Sequence, residues 1–358
     1  MKTTHKTKFT LIDSLMRYAE ILGYGDLHTK FDKQTGLTAI IAVHNLKRGP
    51  AIGGCRMISY QTRDKALEDV IRLGYMMSYK AAINNLAHGG GKAVIIRPTK
   101  PFDRKALLEK FGDFVQELGG RYITAIDSGT SCADMDIIET RTSFVTCTSR
   151  LGGASDPSPL TAYGVKRGIE AAVKFKLGAS SVEGVHIAIQ GAGHVGYHLA
   201  KDLVVAGAKV TMTDIDNQAL ERCVKEFGVT PCAPDEIFDI PADVFSPCAL
   251  GAVINLNTIA RLKVPAVAGA ANNQLSHSQY GSLLHEKGIL YAPDFLINAG
   301  GLIHVAVIYE HASVEKSLQQ IKNIYDRAIE IFEKSMQENI ATNLIAERIA
   351  RERLGLVY

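Results

Sequence analysis

Two lysines, one aspartate and two glycine-rich runs are the parts of this 358-residue sequence whose types and spacing could do chemistry. Lys92 follows three glycines in His88-Gly89-Gly90-Gly91-Lys92-Ala93-Val94-Ile95, directly before an apolar run. A lysine tucked between a glycine turn and a buried strand loses solvent. Desolvation and a second nearby cation both lower a lysine pKa, which makes it a base or nucleophile near neutral pH. Lys80 ends an apolar helix in MMSYKAAINN. Asp127 ends the apolar run YITAI, and the carboxyl end of a strand is where α/β sheets place their ligands. Plainer alternatives stay open: a surface lysine after a flexible turn, and an aspartate that caps the Asp-Ser-Gly turn. GGGK is not a P-loop, because the spacing and the following Ser/Thr are missing. The second run, GPAIGGCRM around Gly53 and Gly54, says by itself only that the backbone bends sharply.

Gly191-Ala192-Gly193-His194-Val195-Gly196 follows the strand-like VHIAIQ and opens a helical pattern. In that context the hexapeptide reads as a dinucleotide fingerprint. Gly191 permits the tight turn, Gly193 lets the backbone approach a pyrophosphate, and Gly196 lets helix and strand pack closely. The helix start, with Val195 in its first turn, suits an anion. Asp214 lies 23 residues after Gly191, near the ~20 expected for a carboxylate on the ribose hydroxyls, which favours NAD over NADP. His194 fills a variable slot of the motif and reads better as a solvent-facing loop residue.

The elements that must position these residues alternate along the chain. Leu37–His44, Ala93–Ile96 and Tyr122–Ile126 read as strands, and Arg63–Tyr79 and Arg104–Leu118 as amphipathic helices. A Gly/Ser/Pro-rich junction follows at Leu151–Pro159. Beyond it come a helix over Thr161–Phe175, then Val185–Gln190, Val195–Ala206, Lys209–Asp214 and Asn217–Phe227 as strand, helix, strand and helix. Short strands near Ala242–Phe245, Pro265–Ala268 and Ile289–Tyr291 precede one long helix over Val314–Asn339 and another over Ala341–Leu354. Such alternation predicts an α/β fold. The expected organisation is two domains: residues 1–153 with the C-terminal helices 333–358, and a Rossmann domain over 154–332.

Composition excludes several classes. Forty basic and 37 acidic residues nearly balance, so nothing calls for nucleic acid. No apolar run approaches the ~20 residues needed to cross a bilayer. The six cysteines show neither CxxC pairs nor metal-ligand spacing, which fits free thiols in a reducing cytoplasm and no metal. The start of the chain reads as an amphipathic helix over Phe9–Gly23. The 32 glycines exceed the roughly 25 that average usage of about 7% would give. We read the surplus as loops facing ligands, at Gly53, Gly54, Gly89, Gly90, Gly91, Gly129, Gly191, Gly193, Gly196, Gly300 and Gly301.

Taken in order, the segments GPAIGGCRM, MSYKAAINNLAHGGGKAVII, GRYITAIDSGTSCADMDII, DPSPLTAYGVKRGIEAA, IQGAGHVG, SPCALGAVIN, AGAANNQL and ILYAPDFLINAGGLIHVA resemble the glutamate/leucine/phenylalanine/valine group of amino-acid dehydrogenases, most closely the leucine type. The resemblance implies that Lys92 is the catalytic lysine, that Lys80 binds the substrate α-carboxylate, and that Asp127 shuttles protons at the amino group. It implies that Asn273 sits near the carboxylate or nicotinamide ribose, and that Thr161 and Asn298 line the nicotinamide pocket. Ile52, Gly53, Ala125, Leu302 and Val305 would line the side-chain pocket, apolar enough for a branched or aromatic amino acid; ordinary core packing is the alternative for them. The implied reaction is NAD-dependent reversible oxidative deamination of an apolar L-amino acid in a cleft between the domains. Homo-oligomers, dimers or octamers, are expected, with a small-molecule substrate and no membrane or nucleic-acid partner. Ile126, His304, Val307 and Ile308 depart from the leucine-type pattern. They motivate an aromatic substrate in a biosynthetic pathway as an alternative; an NAD-binding sensor without catalysis is a further one, against which Lys80, Lys92 and Asp127 argue.

Overall fold

The computed structural model describes residues 17–151 and 156–356. The boundary at Gly153 and most of the N-terminal helix fall outside them, although residues 17–21 are helical. The chain divides into two compact units. The first contains residues 1–155, 305–312 and 350–358, and the second contains 156–304 and 313–349.

The first unit is built on a five-stranded sheet: β1 (Asp26–Phe31), β2 (Thr38–Asn45), β3 (Ala51–Ile58), β4 (Gly89–Ile96) and β5 (Tyr122–Ile126), in the order β1-β2-β4-β3-β5. β1 and β2 pair antiparallel, as do β2 and β4, whereas β3 runs parallel to both β4 and β5. β2 reads TAIIAVHN and is buried along most of its length, as a strand covered on both faces must be. Helix α1 (Arg63–Ile83) starts at Thr62, whose hydroxyl accepts the Lys65 N–H. Val70 and Ile71 of α1 then pack with Ile40, Ala42 and Val94 of the sheet. Helices α2 (Arg104–Glu117) and α3 (Cys132–Glu139) flank β5 in sequence.

Gly89, Gly90 and Gly91 do not form the expected turn; they are the first residues of β4. The reason is steric. A Cβ on Gly90 would strike the backbone of Met77 and Ser78, and one on Gly89 would strike the Asn45 carbonyl. Gly53 and Gly54 likewise lie within β3, and Gly300 and Gly301 start a helix. These glycines serve close approach of one backbone to another, so the reading of the whole surplus as ligand-facing loops is corrected.

The second unit holds a six-stranded sheet of β6 (His186–Gln190), β7 (Lys209–Thr213), β8 (Thr230–Pro231), β9 (Val244–Pro247), β10 (Ala266–Val267) and β11 (Leu290–Tyr291). Its order is β11-β10-β9-β6-β7-β8, every pair is parallel, and it is the doubly wound 3-2-1-4-5-6 arrangement. Helices α4 (Ser158–Leu177), α5 (His194–Val205), α6 (Asn217–Phe227), α7 (Leu256–Arg261), α8 (Gln279–Glu286) and α9 (Asp294–Ile297) belong to it. Phe245, Val267, Leu284 and Tyr291 are among the residues of one buried cluster.

Helix α10 (Gly300–Tyr309) is followed by α11 (Val314–Lys322), α12 (Ile324–Glu338) and α13 (Thr342–Leu354). The single helix expected over 314–339 is therefore two, because the Asn323 N–H bonds back to Gln320 and tightens the turn. Residues 333–349 stay with the second unit instead of joining the first: Phe332 of α12 packs against Phe175 of α4, their rings tilted and 5.5 Å apart. Conversely, residues 305–312 belong to the first unit, where the Thr146 hydroxyl donates to the Val305 carbonyl and His88 packs edge-on to Tyr309.

Candidate active site

Lys92 projects from the middle of β4 and is only 7% exposed. Its ammonium forms an ion pair with Asp127 Oδ2. Three glycines make this pairing geometrically available. Gly90 lets α1 lie directly on β4, since a Cβ there would strike the Ser78 backbone nitrogen, and Gly74 of α1 leaves room for the Tyr24 hydroxyl, 2.6 Å from where its Cβ would stand. Gly54 of β3 leaves space for the aspartate: a Cβ there would stand 2.8 Å from Asp127 Cβ. Tyr122 donates its buried hydroxyl to the Gly53 carbonyl at 2.7 Å and braces the same strand.

Asp127 immediately follows β5 and does two jobs. Oδ1 accepts the Ser128 N–H at 2.6 Å, the turn-capping role, while Oδ2 faces Lys92. The turn is closed by Thr130, whose hydroxyl accepts the Asp127 N–H at 2.9 Å and donates to the Cys55 carbonyl at 2.9 Å. Burial alone would raise the Asp127 carboxyl, but Lys92, then Arg56, then the Ser128 N–H outweigh it and bring it down to about 2. The group is a carboxylate throughout the neutral range.

Sequence reasoning missed Arg56. It lies in GPAIGGCRM, and its Nε is 3.6 Å from Asp127 Oδ2. No local pattern could reveal it, because its partners are Asp69, on α1, and Asp127, after β5.

Lys80 falls in the last turn of α1, which continues to Ile83, and is half-buried. Its ammonium is attached two residues beyond Ser78, where α1 crosses Gly90. Ile52 is fully buried in β3 and Ala125 is 4% exposed in β5. Gly53 is required for strand pairing, since a Cβ would strike the Gly91 carbonyl. Leu302 and Val305 are consecutive-turn neighbours on α10, each 9% exposed. His304 is buried and its Nδ1 is 3.0 Å from the Ser317 hydroxyl; burial lowers its pKa.

In the second unit the glycine motif has the stereochemistry its residues imply. Gly191 has φ +111°, in the region that favours glycine. A Cβ on Gly196 would strike the Gly191 carbonyl, so only glycine lets α5 sit this close to β6. Gly193 is the N-cap of α5, with no side chain capping it, and a Cβ there would meet nothing within 4 Å. His194 is exposed but is the first residue of α5, not a loop residue. Asp214 follows β7; its carboxylate accepts the Ala192 N–H and, at 2.8 Å, the Asp216 N–H, which ties it to the glycine turn. The Cys248 N–H donates to the Gln190 carbonyl at 2.7 Å, joining the ends of β9 and β6 at the point where strand order reverses.

A second cluster gathers Thr161, Asn298 and the start of α10. A Cβ on Gly300 would strike the Leu160 carbonyl, and one on Gly301 would lie 3.0 Å from the Thr161 hydroxyl. The Asn298 amide donates to the Ala270 carbonyl at 3.0 Å and to Asn272 Oδ1 at 2.9 Å. Its own oxygen is buried without a hydrogen-bond partner, an acceptor suited to a carboxamide N–H. Asn273 adopts φ +51° nearby in sequence, and its carbonyl accepts the Ala252 N–H at 2.7 Å. An open N-terminal cradle, a carboxylate at the end of β7 and an orphaned amide oxygen fit a nicotinamide dinucleotide. Among the described residues no cluster of His, Cys, Asp or Glu could hold a metal, and no helix is long and apolar enough to cross a membrane.

Comparison with known proteins identifies the family. The profile of the Glu/Leu/Phe/Val dehydrogenase dimerisation domain matches residues 26–144, and that of Glutamate/Leucine/Phenylalanine/Valine dehydrogenase matches 212–352. The chain is 46% identical to the leucine dehydrogenase of Thermoactinomyces intermedius, over 95% of this chain and 93% of that protein. It is 43% identical to the phenylalanine dehydrogenase of Lysinibacillus sphaericus, over 88% and 85%. The crystal structure of L-tryptophan dehydrogenase from Nostoc punctiforme superposes with a TM-score of 0.83 at 37% identity, covering 95% of this chain and 98% of that one. The chain therefore belongs to the glutamate/leucine/phenylalanine/valine dehydrogenase family and is an amino-acid dehydrogenase whose cofactor is NAD.

Proposed function

We propose that the protein catalyses the reversible oxidative deamination of an apolar L-amino acid, with leucine preferred among the branched chains. The observation that carries this reading is the buried Lys92–Asp127 pair, set in apolar surroundings. The balanced reaction is L-amino acid, NAD⁺ and water giving 2-oxo acid, ammonium, NADH and a proton. Bound NAD supplies the acceptor for the hydride that leaves the amine-bearing carbon. Asp214, the α5 N-terminus at Gly193, Thr161 and Asn298 would hold the dinucleotide.

The chain's own groups do the rest. Lys80 offers an ammonium to the substrate carboxylate. Asp127, ionised at neutral pH, takes a proton from the substrate amino group at Oδ2 and returns one to the departing ammonia. Lys92 Nζ touches that same oxygen; once it has given up its own proton, the one the net reaction releases, the neutral amine takes a proton from the water that attacks the iminium carbon. Ile52, Ala125, Leu302 and Val305 supply apolar surface for the side chain. The dimerisation-domain match over 26–144 supports a homo-oligomer as the working form.

The test is NADH formation by the purified full chain with NAD and leucine, valine, isoleucine, phenylalanine or tryptophan. Leucine should give the highest kcat/KM, with valine, one methylene shorter, lower by roughly 10–200-fold, and isoleucine, its isomer, also below leucine. No NADH with any of the five would overturn the proposal. A second reading, an aromatic amino acid, is favoured by the likeness to the L-tryptophan dehydrogenase structure and by buried His304 beside Val305. A kcat/KM for phenylalanine or tryptophan above that for leucine would select it.

A further inference from the structure

We propose that Arg56 is a positioning residue that fixes the Asp127 carboxylate against Lys92, and that Asp69 on α1 anchors Arg56 from behind. This inference rests on the reading of Asp127 as the proton-transferring carboxylate.

Arg56 bridges two carboxylates. Its Nη1 donates to Asp69 Oδ2 at 2.9 Å, and its Nε lies 3.6 Å from Asp127 Oδ2. The side chain is 22% exposed, so these attractions are only partly screened. A simple staple between β3 and α1 would not need it. Asp69 already accepts the hydroxyl of Tyr60, just after β3, on Oδ2 at 2.7 Å, besides bonding Arg72 of its own helix on Oδ1 at 3.0 Å. What Arg56 adds is a cation aimed at the oxygen that Lys92 also holds.

The orientation of Asp127 follows from its donors. Ser128 N–H occupies Oδ1, while Lys92 and Arg56 approach Oδ2 from β4 and β3. Without Arg56, a carboxylate released whenever Lys92 turns to substrate would be steered by the Ser128 N–H alone. A guanidinium, planar and permanently charged, keeps a fixed geometry throughout a cycle in which protons move across Lys92 and Asp127. Other charged or titratable groups close by are Cys55 of β3, Tyr122 of β5 and the Arg104–Asp134 pair, whose Arg104 also donates to the Gly129 carbonyl at 2.8 Å. Asp69 and Lys80 are eleven residues apart on one helix, about three turns, so α1 carries both the anchor of Arg56 and the candidate carboxylate-binding lysine.

The experiment compares full-chain Arg56→Met, Arg56→Lys, Asp69→Asn and Asp127→Asn for kcat and for KM of leucine and NAD. Arg56→Met should lower kcat about 10- to 100-fold, the scale of a small misplacement of a reacting group, with both KM values within about twofold. Arg56→Lys should recover part of that loss, and Asp69→Asn should fall between it and the wild type. Should Arg56→Met not fold, the other two Arg56 and Asp69 variants decide by the same split. If Asp127→Asn is inactive while the Arg56 and Asp69 variants keep wild-type kcat, the proposal alone falls. If their kcat and both KM values change together with thermal stability, Arg56 is structural and the proposal also falls. An active Asp127→Asn overturns the reading of Asp127, and this proposal with it.

Discussion

At Asp127 a proton can be added only by giving up the attraction of Lys92 and Arg56 together, and this has a thermodynamic signature. The carboxyl lies at about 2 in the folded protein against an ordinary 3.8. A folded-state pKa below the unfolded one contributes stability that is complete above about pH 4 and is lost as pH falls toward 2. The shift corresponds to about 2 kcal/mol, and Asp127→Asn should lack that component in urea unfolding while losing about 10²- to 10⁴-fold in kcat/KM. His44 marks a separate window. It is packed edge-on against Tyr24 and Tyr75, and its Nε2–H donates to the Leu22 carbonyl at 2.8 Å. Nδ1 is buried without a partner, and burial, offset in part by the Leu22 bond, lowers the ring pKa to about 4. Below the ordinary 6.5 the unfolded chain gains a proton that the folded one refuses, so stability falls from pH 6.5 to about 4 by about 3 kcal/mol. His44→Phe should keep the ring packing and abolish that slope; an unchanged slope between these pH values would assign it to other groups.

At the level of elements, glycine spacing decides how closely backbones approach, and the two glycine runs should respond differently to a methyl group. Gly90→Ala drives a Cβ into the Ser78 backbone, which neither α1 nor β4 can yield, so several kcal/mol of stability should go, as in an overpacked core. Gly193→Ala meets nothing within 4 Å. Its unfolding free energy should move by less than about 1 kcal/mol, the scale of an N-cap change, while the KM for NAD rises at least tenfold because the methyl occupies the space left for a pyrophosphate. Equal stability losses in the two variants would refute this contrast. The same pair shows what could be read from the sequence. GAGHVG was legible because strand, turn, helix and Asp214 all lie within a short window whose periodicity names each part. Gly89–Gly91 was not, because glycine has no side chain to carry a strand pattern, and the helix that demands it lies elsewhere in the chain. For the same reason Lys92 and Asp127 could be singled out only one by one, Lys92 from the glycines before it and Asp127 from the end of an apolar run, whereas Arg56 acquires meaning only once β3 lies between β4 and β5. Strands β1, β3 and β8 and helices α3, α7, α8, α9 and α10 were missed: most are short, β3 carries a glycine pair that reads as a turn, and α10 is apolar all round.

Across the whole molecule the chain's path makes the first unit discontinuous, because residues 350–358 return to it after the second unit is complete. The returning segment has a definite task. Arg353 donates from Nη1 to the carbonyls of Ala82 and Ile83, both at 2.9 Å, and the Leu354 carbonyl accepts from Asn45 Nδ2 at 3.2 Å. The last carbonyls of a helix have no partner within it, so Arg353 satisfies the end of α1 with a charge that also suits the helix dipole. That end carries Lys80, proposed to hold the substrate carboxylate. Removing a charged hydrogen-bond donor costs about 1.5–3 kcal/mol, and at about 2–4 °C per kcal/mol for units of this size Arg353→Ala should lower the Tm by about 3–12 °C. A loosened last turn would displace Lys80, so the KM for the amino acid should rise several-fold. The KM for NAD should stay constant, since the glycine motif, Asp214 and Asn298 all lie in the other unit. A variant with both KM values unchanged and an unaltered Tm would show that the C-terminal segment does not hold α1. A rise in the NAD KM alone would mean that the segment acts on the dinucleotide-binding unit and not on the helix it caps.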